Sequence, residues 1–137
     1  MPSMMELWER SQFLAKTLRD RDVEELESIF QAQVTFHSQY LSAIENMTDK
    51  EREEFVAYMC DCIVAEAVEA KDWTPWKKWK KARWPHKQMR IEILFELVDI
   101  LHFMVNALIA LKFEPADLIG AFWAKNEENE RRQRDGY

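Results

Sequence analysis

The amino-acid sequence predicts an all-α fold, a bundle of about five helices in one domain over residues 1–137. Only two glycines and four prolines stand among the 137 residues, and 32% of the residues are charged. A many-stranded sheet needs many tight turns and therefore more turn-forming residues, whereas a few long helices do not. The hydrophobic share of 47% is enough to form one core at this length.

Apolar residues at helical spacing, together with helix-start signals, place the individual helices. Thr48 is followed three residues later by Glu51, a capping-box pattern that predicts the start of the third helix. Pro115 predicts the start of the last helix, which ends before Gly136. Residues 72–87 are rich in tryptophan and lysine and predict a loop with room for one helical turn. The predicted helices cover about residues 3–19, 22–44, 48–71, 91–111 and 115–135.

The fourth predicted helix is apolar except for five polar residues that share one face. At roughly 100° per residue, their spacing of 4, 3, 3 and 4 places them within an arc of about 120°. Burying carboxylates costs several kcal/mol each unless a cation lies against them, and a divalent metal is the simplest such cation. The five residues are Glu92, Glu96, Asp99, His102 and Asn106.

A second acidic pair, Glu66 and Glu69, lies three residues apart on the third helix. If the third and fourth helices pack antiparallel, these two residues and the pair Glu96 and Asp99 converge, and their charges raise one another's pKa values. Magnesium prefers oxygen ligands and is usually shared between carboxylates and phosphates, so more than one Mg²⁺ ion could bind here. The alternative is that these acids are ordinary salt-bridge partners on helix surfaces.

Residues 73–84 concentrate four of the six tryptophans with five lysine and arginine side chains. Aromatic faces stack on bases and cations hold phosphates, which favours a nucleotide ligand. Two alternatives stay open, a loop anchored to the core by its tryptophans and a patch that lies on a membrane surface. On the last helix, Lys125, Asn129 and Arg132 share a face, which alone is typical of a solvated charged surface.

Charge and cysteine content exclude several functional classes and indicate a cytoplasmic protein. A net charge of −6 argues against a general nucleic-acid binder, which needs a basic surface. Cys60 and Cys62 point to nearly opposite sides of a helix, so they are interpreted as reduced thiols. The N-terminus does not match a signal peptide, and acids interrupt the one long apolar stretch, so neither secretion nor a membrane span is predicted.

The motif Glu66-x-x-Glu69, followed after 26 residues by Glu96-x-x-Asp99, resembles the metal-binding signature of the all-α nucleoside triphosphate pyrophosphohydrolases, a MazG-like superfamily. Three further stretches are similar to the dimeric dUTPase branch, including versions carried by bacteriophages. They are Trp-Lys-Lys-Trp-Lys at 76–80, Glu-Leu-Val-Asp-Ile-Leu-His-Phe at 96–103, and the tail Lys-Asn-x-x-Asn-x-x-Arg-Gln-x-x-Gly-Tyr at 125–137.

The resemblance implies a homodimeric dUTP diphosphatase that forms dUMP and pyrophosphate, in the host cytoplasm if a phage encodes it. It implies that the four carboxylates hold the Mg²⁺ ions at a site between two core helices, and that Glu69 orients or deprotonates the attacking water. Lys77, Lys80, Lys125 and Arg132 become candidate phosphate contacts, with Asn129 and Tyr137 as neighbours. Candidates that border the base and deoxyribose are Gln12, Trp76, Trp79, His102, Phe103 and Asn106.

Base selectivity stays open, because Ala15 stands where this branch tends to have an asparagine on the first helix. A pyrophosphohydrolase that acts on dCTP or another nucleoside triphosphate is therefore the alternative within the enzyme class. Outside that class, the chain could be a non-enzymatic helical interaction module whose acids are structural.

Overall fold

A computed structural model describes residues 2–17, 20–40, 44–81 and 84–136, with side chains for 2–17, 23–36, 44–81 and 84–136. These residues form five α-helices and one short 3-10 helix, and no strand occurs among them, which confirms the all-α prediction. The helices are α1 (Met4–Thr17), α2 (Asp20–Tyr40), α3 (Asp49–Asp72), α4 (His86–Ala110) and α5 (Pro115–Asp135), and the 3-10 helix is Ile44–Asn46.

The predicted helix starts at Thr48 and Pro115 are confirmed. The Thr48 hydroxyl accepts a hydrogen bond from the Glu51 amide at 3.2 Å, and the Glu51 carboxylate accepts one from the Thr48 amide at 2.8 Å. This reciprocal capping box satisfies two backbone donors that a helix start leaves free. At the other end of the chain, α5 stops at Asp135, and Gly136 follows with a φ of 79°, a backbone conformation that glycine adopts without strain.

Two predicted boundaries are wrong. Helix α4 begins at His86 and not near Ile91, because the preceding Pro85 can start a helix and its carbonyl accepts the Met89 amide at 3.0 Å. The residues before Ile91 are polar and aromatic and lack apolar spacing of the helical kind, so the sequence did not predict this helical turn. Helix α2 ends at Tyr40, and Ile44 belongs to the 3-10 helix, while residues 18–19 and 41–43 of the predicted first and second helices lie outside the described residues.

The chain divides into two compact units, which are described separately. The first, here the α1–α5 unit, comprises Met1–Ala32 and Lys112–Tyr137, and the second, the α3–α4 unit, comprises Gln33–Leu111. The single domain expected over residues 1–137 stays a prediction.

In the α1–α5 unit, α1 packs against α5 through small residues. A Cβ atom built on Gly120 would overlap the Ser11 carbonyl oxygen and would lie 3.1 Å from the Ala15 Cβ. Ser11 is 2% exposed, and Ala124, one turn beyond Gly120, is equally buried. The absence of a side chain at Gly120 therefore sets how closely the two helices approach.

In the α3–α4 unit, α3 and α4 pack antiparallel along their lengths. Arg52, near the start of α3, donates hydrogen bonds to the Ala110 carbonyl at the end of α4 and to the Met47 carbonyl. One turn before Ala110 on α4 and two turns after Arg52 on α3, the Asn106 amide lies 3.8 Å from the Met59 sulfur. The antiparallel register predicted for the two acid-bearing helices is thus present, and it continues toward Glu66 and Glu96.

Helix α4 carries a large apolar surface that the other described residues leave uncovered. By length and composition this helix could cross a membrane. Only 17% of its most apolar 18-residue window is buried. Ile91, Leu94, Phe95 and Leu97 are all exposed. A large exposed apolar surface usually marks a site of interaction with a protein or a membrane.

Candidate active site

The facing sides of α3 and α4 bring together three carboxylates, from Glu66, Glu96 and Asp99. One oxygen of each lies within 4.8 Å of the others. Oxygens on opposite sides of an octahedral Mg²⁺ ion are about 4.2 Å apart, so the spacing of these three oxygens is close to that of ligands in one coordination shell. The antiparallel packing produces this cluster, because Glu66, in the last third of α3, meets the acid stripe near the middle of α4.

Glu66 lacks a positive partner within the described part of the chain. The largest cause that raises the pKa of Glu66, to about 7, is its side-chain hydrogen bond to Glu96, followed by burial and by the charges of Glu69 and Asp99. Its Oε2 atom is buried and has no hydrogen-bond partner. A buried oxygen without a partner in a cluster of negative charge fits a divalent cation, since the cation would satisfy the oxygen and remove the repulsion.

Glu69, the fourth predicted carboxylate, lies one turn beyond Glu66 on α3 and is exposed. It is not among the three clustered residues, although it is close enough for its charge to raise the pKa of Glu66. The structure therefore brings three of the four predicted ligands together and places the fourth at the edge of the cluster.

Beyond the cluster, the stripe on α4 continues with His102 and Asn106. The His102 Nδ1 atom lies 3.7 Å from an Asp99 oxygen, and both side chains are about half exposed. Asn106 is 5% exposed and accepts a hydrogen bond from the Gln33 amide at 2.7 Å. Phe103, another predicted contact, is partly buried beside them on the same helix.

Gln33 is a residue at this site that the sequence did not indicate. Its amide holds the Asn106 side chain, and a second, longer contact of 3.5 Å reaches the His102 carbonyl. A buried asparagine needs hydrogen-bond partners, so the polar residue Asn106 on an apolar helix indicates that such a partner exists. The sequence does not identify which residue it is. Helix α2 has no recognisable motif around Gln33.

The tryptophan and lysine segment between α3 and α4 lines a cavity of about 660 Å³. Trp73 follows Glu69 by four residues, which corresponds to about 6 Å along α3, so the cavity lies beyond the carboxylate cluster at the same end of the helix pair. Of the predicted contacts, Trp79 lies outside the lining and is 74% exposed. The lining residues are Asp72, Trp73, Thr74, Pro75, Trp76, Lys77, Lys80, Trp84, His86 and Met89.

The other predicted contacts belong to the α1–α5 unit. The Gln12 amide on α1 donates a hydrogen bond to the Asp117 carboxylate at 3.1 Å. Lys125 and Asn129 are exposed on α5, while the Arg132 guanidinium donates to Glu128 at 3.0 Å. Tyr137 lies outside the described residues.

Glu128 is a second residue that the sequence did not indicate. It is 4% exposed and accepts hydrogen bonds from Arg131 at 2.8 and 2.9 Å as well as the one from Arg132. The Arg131 hydrogen bonds are the main cause that lowers its pKa, to about 2. This acid fixes the direction of the two arginines on the last turns of α5.

Comparisons with known proteins agree with these observations. A family model described as dUTPase matches residues 25–115, a range that includes both acidic pairs and the tryptophan and lysine segment. Two curated relatives share a 48-residue segment, at 40% identity with a dCTP pyrophosphatase of Enterobacteria phage T4 and at 42% with a dCTP pyrophosphatase of Enterobacteria phage LZ5. No solved structure matches the chain significantly.

The curated relatives match only locally. The shared segment covers 35% of this chain and 28% of each relative, so the chain spans well under a third of the proteins it matches. The family model extends further, over more than half of the 137 residues. The chain belongs to the dUTPase family, as its motifs predict.

Proposed function

We propose that the chain is a Mg²⁺-dependent enzyme that hydrolyses dUTP to dUMP and pyrophosphate. The observation that carries this proposal is the cluster of Glu66, Glu96 and Asp99, whose oxygens lie within 4.8 Å of one another and in which Glu66 has no counter-charge from the described residues. Membership of the dUTPase family supports the same chemistry. The ions would be held by these three residues, and by Glu69 if more than one binds.

In the proposed reaction, the carboxylates and the lysines have different roles. Bound Mg²⁺ neutralises charge on the phosphates and lowers the pKa of water, as it does in other phosphoryl-transfer enzymes. Glu69, exposed beside the cluster, is placed to orient the water and to accept its proton. The water oxygen forms a bond to the α-phosphorus, the bond from that phosphorus to the bridging oxygen breaks, and pyrophosphate leaves. Lys77 and Lys80 hold the phosphates by charge.

dCTP is the second candidate substrate. The two curated relatives are named dCTP pyrophosphatases, and the segment that they share with this chain is the observation in favour. Ala15 in place of an asparagine also removes one amide that could distinguish uracil from cytosine. The two bases differ in their hydrogen-bonding groups, so a site with amide side chains such as the buried Asn106 and the partly exposed Gln33 could select either.

We further propose that the enzyme is a cytoplasmic homodimer and that the second copy covers the apolar face of α4. Ile91, Leu94 and Phe95 follow one another at helical spacing and are all about half exposed or more. A membrane is a poorer partner for this helix, because Glu96 and Asp99 in its middle would each cost several kcal/mol in hydrocarbon.

Turnover assays test the enzymatic proposal directly. The protein is incubated with each deoxynucleoside triphosphate and with UTP, with Mg²⁺ or with chelator, and the products are identified. We expect dUMP and pyrophosphate from dUTP only when Mg²⁺ is present. Preference for dCTP would replace dUTP by the second candidate, and no turnover of any nucleotide would favour a non-enzymatic interaction module.

The variant Glu69→Gln tests the placement of the site within the same assay. It should keep its helicity and lose most of its activity, since the amide cannot accept the proton from water. Glu53→Gln, which removes an exposed carboxylate earlier on α3, is the matched control and should stay active. A fully active Glu69→Gln would contradict the role given to Glu69.

A further inference from the structure

We propose that the Gln33 side chain on α2 recognises the nucleobase by accepting a hydrogen bond from one of its N–H groups, and that Asn106 holds Gln33 in the orientation that this requires. The inference rests on the proposed function and names the group that reads the base at the same site. Asn106, which the family resemblance placed among the nucleoside contacts, then acts through Gln33 as a positioning residue.

The amide of Asn106 is used within the protein at both ends. Its Oδ1 atom accepts a hydrogen bond from the Gln33 amide at 2.7 Å, and its Nδ2 atom lies 3.8 Å from the Met59 sulfur. Asn106 is 5% exposed and Met59 is 4% exposed. An amide that is buried and engaged at both ends is not accessible to a base.

Two acceptors fix the orientation of the two amides. The His102 carbonyl lies 3.5 Å from the Gln33 Nε2 atom, and the Met59 sulfur lies beside the Asn106 Nδ2 atom. A carbonyl oxygen and a thioether sulfur accept hydrogen bonds and cannot donate them. Turning both amides over would place their oxygens against these acceptors and lose both contacts. The pair therefore has one favourable orientation.

This orientation leaves the Oε1 atom of Gln33 as its free polar group. The Nε2 atom of Gln33 carries two hydrogens, and its two contacts, to Asn106 and to His102, use both of them. Among the described residues none donates a hydrogen bond to Oε1, and the side chain is partly exposed. An amide oxygen only accepts, so a ligand that binds to it must offer a donor.

Gln33 lies close to the carboxylate cluster within the α3–α4 unit. His102 lies between them, because its carbonyl contacts the Gln33 amide and its Nδ1 atom lies 3.7 Å from an Asp99 oxygen. The side chains of Asp99 and His102 are about half exposed, so the surface between cluster and Gln33 is open to a ligand. A nucleotide with its phosphates at the cluster can span this one intervening residue with its deoxyribose and present its base to Gln33.

Both candidate substrates carry a donor of the required kind. Uracil has an N–H group at N3, and cytosine has an amino group at C4. A site built around an acceptor discriminates against a base whose donor is blocked, because the acceptor then loses its partner. With dUTP as the substrate, the donor to Gln33 is the N3–H group of uracil.

Binding of dUMP, the product of the proposed reaction, tests the inference without turnover. dUMP and N3-methyl-dUMP are titrated into the full chain with Mg²⁺ while the heat of binding is recorded. The methyl group should weaken binding to the original protein about tenfold or more. In Gln33→Ala the two ligands should bind within about threefold of each other, since the acceptor is gone and the methyl group has room. Gln88→Ala, which changes an exposed glutamine of the same unit, is the matched control and should keep the full preference.

The same pair of ligands tests the positioning role of Asn106. Asn106→Leu removes the acceptor that holds the Gln33 amide, so the preference for dUMP over its methylated form should fall. This preference is a ratio of two affinities within one variant, and a smaller folded fraction does not change it. A preference in Asn106→Leu equal to that of the original protein would overturn the role given to Asn106.

Other outcomes separate this inference from the proposed function. Equal binding of the two ligands to the original protein, no binding of either, or a preference that survives in Gln33→Ala overturns the inference, even when dUTP is hydrolysed. A preference that depends on Gln33 without turnover of any nucleotide rejects the enzyme and keeps the base site. If dCTP is the preferred substrate, dCMP and N4,N4-dimethyl-dCMP replace the first pair, and the same loss of preference in Gln33→Ala is expected.

Discussion

Two carboxylates of the same residue type behave in opposite ways in the two units. In the α1–α5 unit, Glu128 is almost fully buried against Arg131 and Arg132, and its pKa is lowered to about 2, chiefly by the Arg131 hydrogen bonds. In the α3–α4 unit, Glu66 faces Glu96 and Asp99, and its pKa is raised to about 7. Two arginines of the chain neutralise Glu128, whereas no described residue supplies a counter-charge to Glu66.

The difference distinguishes a structural acid from the proposed metal ligand. A buried acid with paired guanidinium groups is complete and needs nothing from solution. An ionised acid among other acids is unfavourable because the charges repel one another. A bound cation removes this repulsion, so its removal adds to the free energy of metal binding. Glu128 is buried and Glu66 is only partly buried, and the hydrogen bonds and charges of their neighbours produce the opposite pKa shifts.

The largest effect is expected from removing the unpaired acid. Glu66→Gln should lower kcat/KM for the preferred nucleotide by at least about a hundredfold, because changes to residues that only support metal ligands already cost ten- to a hundredfold. In chelator its thermal midpoint should equal or exceed that of the original protein, because a repulsive charge is gone. The converse variant, Glu128→Gln, should lower the thermal midpoint. If Glu66→Gln lowered the thermal midpoint and Glu128→Gln did not, the roles given to the two acids would be wrong.

The second effect concerns the apolar surface of the α3–α4 unit. Leu94→Glu places a charge on the exposed face of α4 and should convert the proposed dimer to a monomer, measured by light scattering at working concentration. Phe122→Glu alters a residue of similar exposure on α5 in the other unit and should leave the mass unchanged. A monomeric original protein would contradict the proposed dimer, and dissociation by Phe122→Glu would move its interface to α5.

The third effect tests the packing of the α1–α5 unit. Gly120→Ala would stabilise an ordinary helix by about 1 kcal/mol. Here it should destabilise the protein by about 1 to 3 kcal/mol, because the added Cβ overlaps the Ser11 carbonyl. Denaturant unfolding measures the change, and Gln133→Ala, at an exposed position of α5, should change stability by less than about 0.5 kcal/mol. A more stable Gly120→Ala would show that the helices are not held at this distance.

The smallest effect is the dependence of stability on pH in chelator. Glu66 keeps its proton in the folded state between its ordinary pKa of 4.5 and about 7, so its contribution is present below pH 4.5 and is lost as pH rises toward 7. Glu128 has the opposite sign, and its contribution is present above pH 4.5 and is lost as pH falls toward 2. For each of Glu66→Gln and Glu128→Gln, the thermal midpoint of the variant is subtracted from that of the original protein at each pH. The two differences should change with pH in opposite directions. Differences that change in the same direction would contradict the two environments.

The sequence predicted the helices and the approach of most of the clustered carboxylates because both depend on local patterns. The spacing of Glu92 to Asn106 placed a polar stripe on one helix, and the capping box at Thr48 fixed the start of its partner. Antiparallel packing then follows for two helices joined by a short segment, and it brought Glu66 to Glu96 and Asp99.

Contacts between residues distant in sequence were not predictable in this way. Gln33 contacts Asn106 across 73 residues, and nothing in the composition of α2 selects it. The tryptophans were expected to border a base, but the positions of Lys71 and Lys77 over Trp76 depend on side-chain geometry that spacing does not encode. The early start of α4 was missed because Pro85 was taken for part of a loop and not for the residue before a helix.

Direct binding of a divalent metal tests the central claim, that the unpaired carboxylates of the α3–α4 unit form a metal site. Mn²⁺, which can replace Mg²⁺ at oxygen sites and is visible by electron paramagnetic resonance, is titrated into the protein at pH 8, where Glu66 is mostly ionised. We predict saturable binding that is weakened at least about tenfold in Glu66→Gln and unchanged in Glu128→Gln. Equal Mn²⁺ affinity in the original protein and in Glu66→Gln would contradict the account.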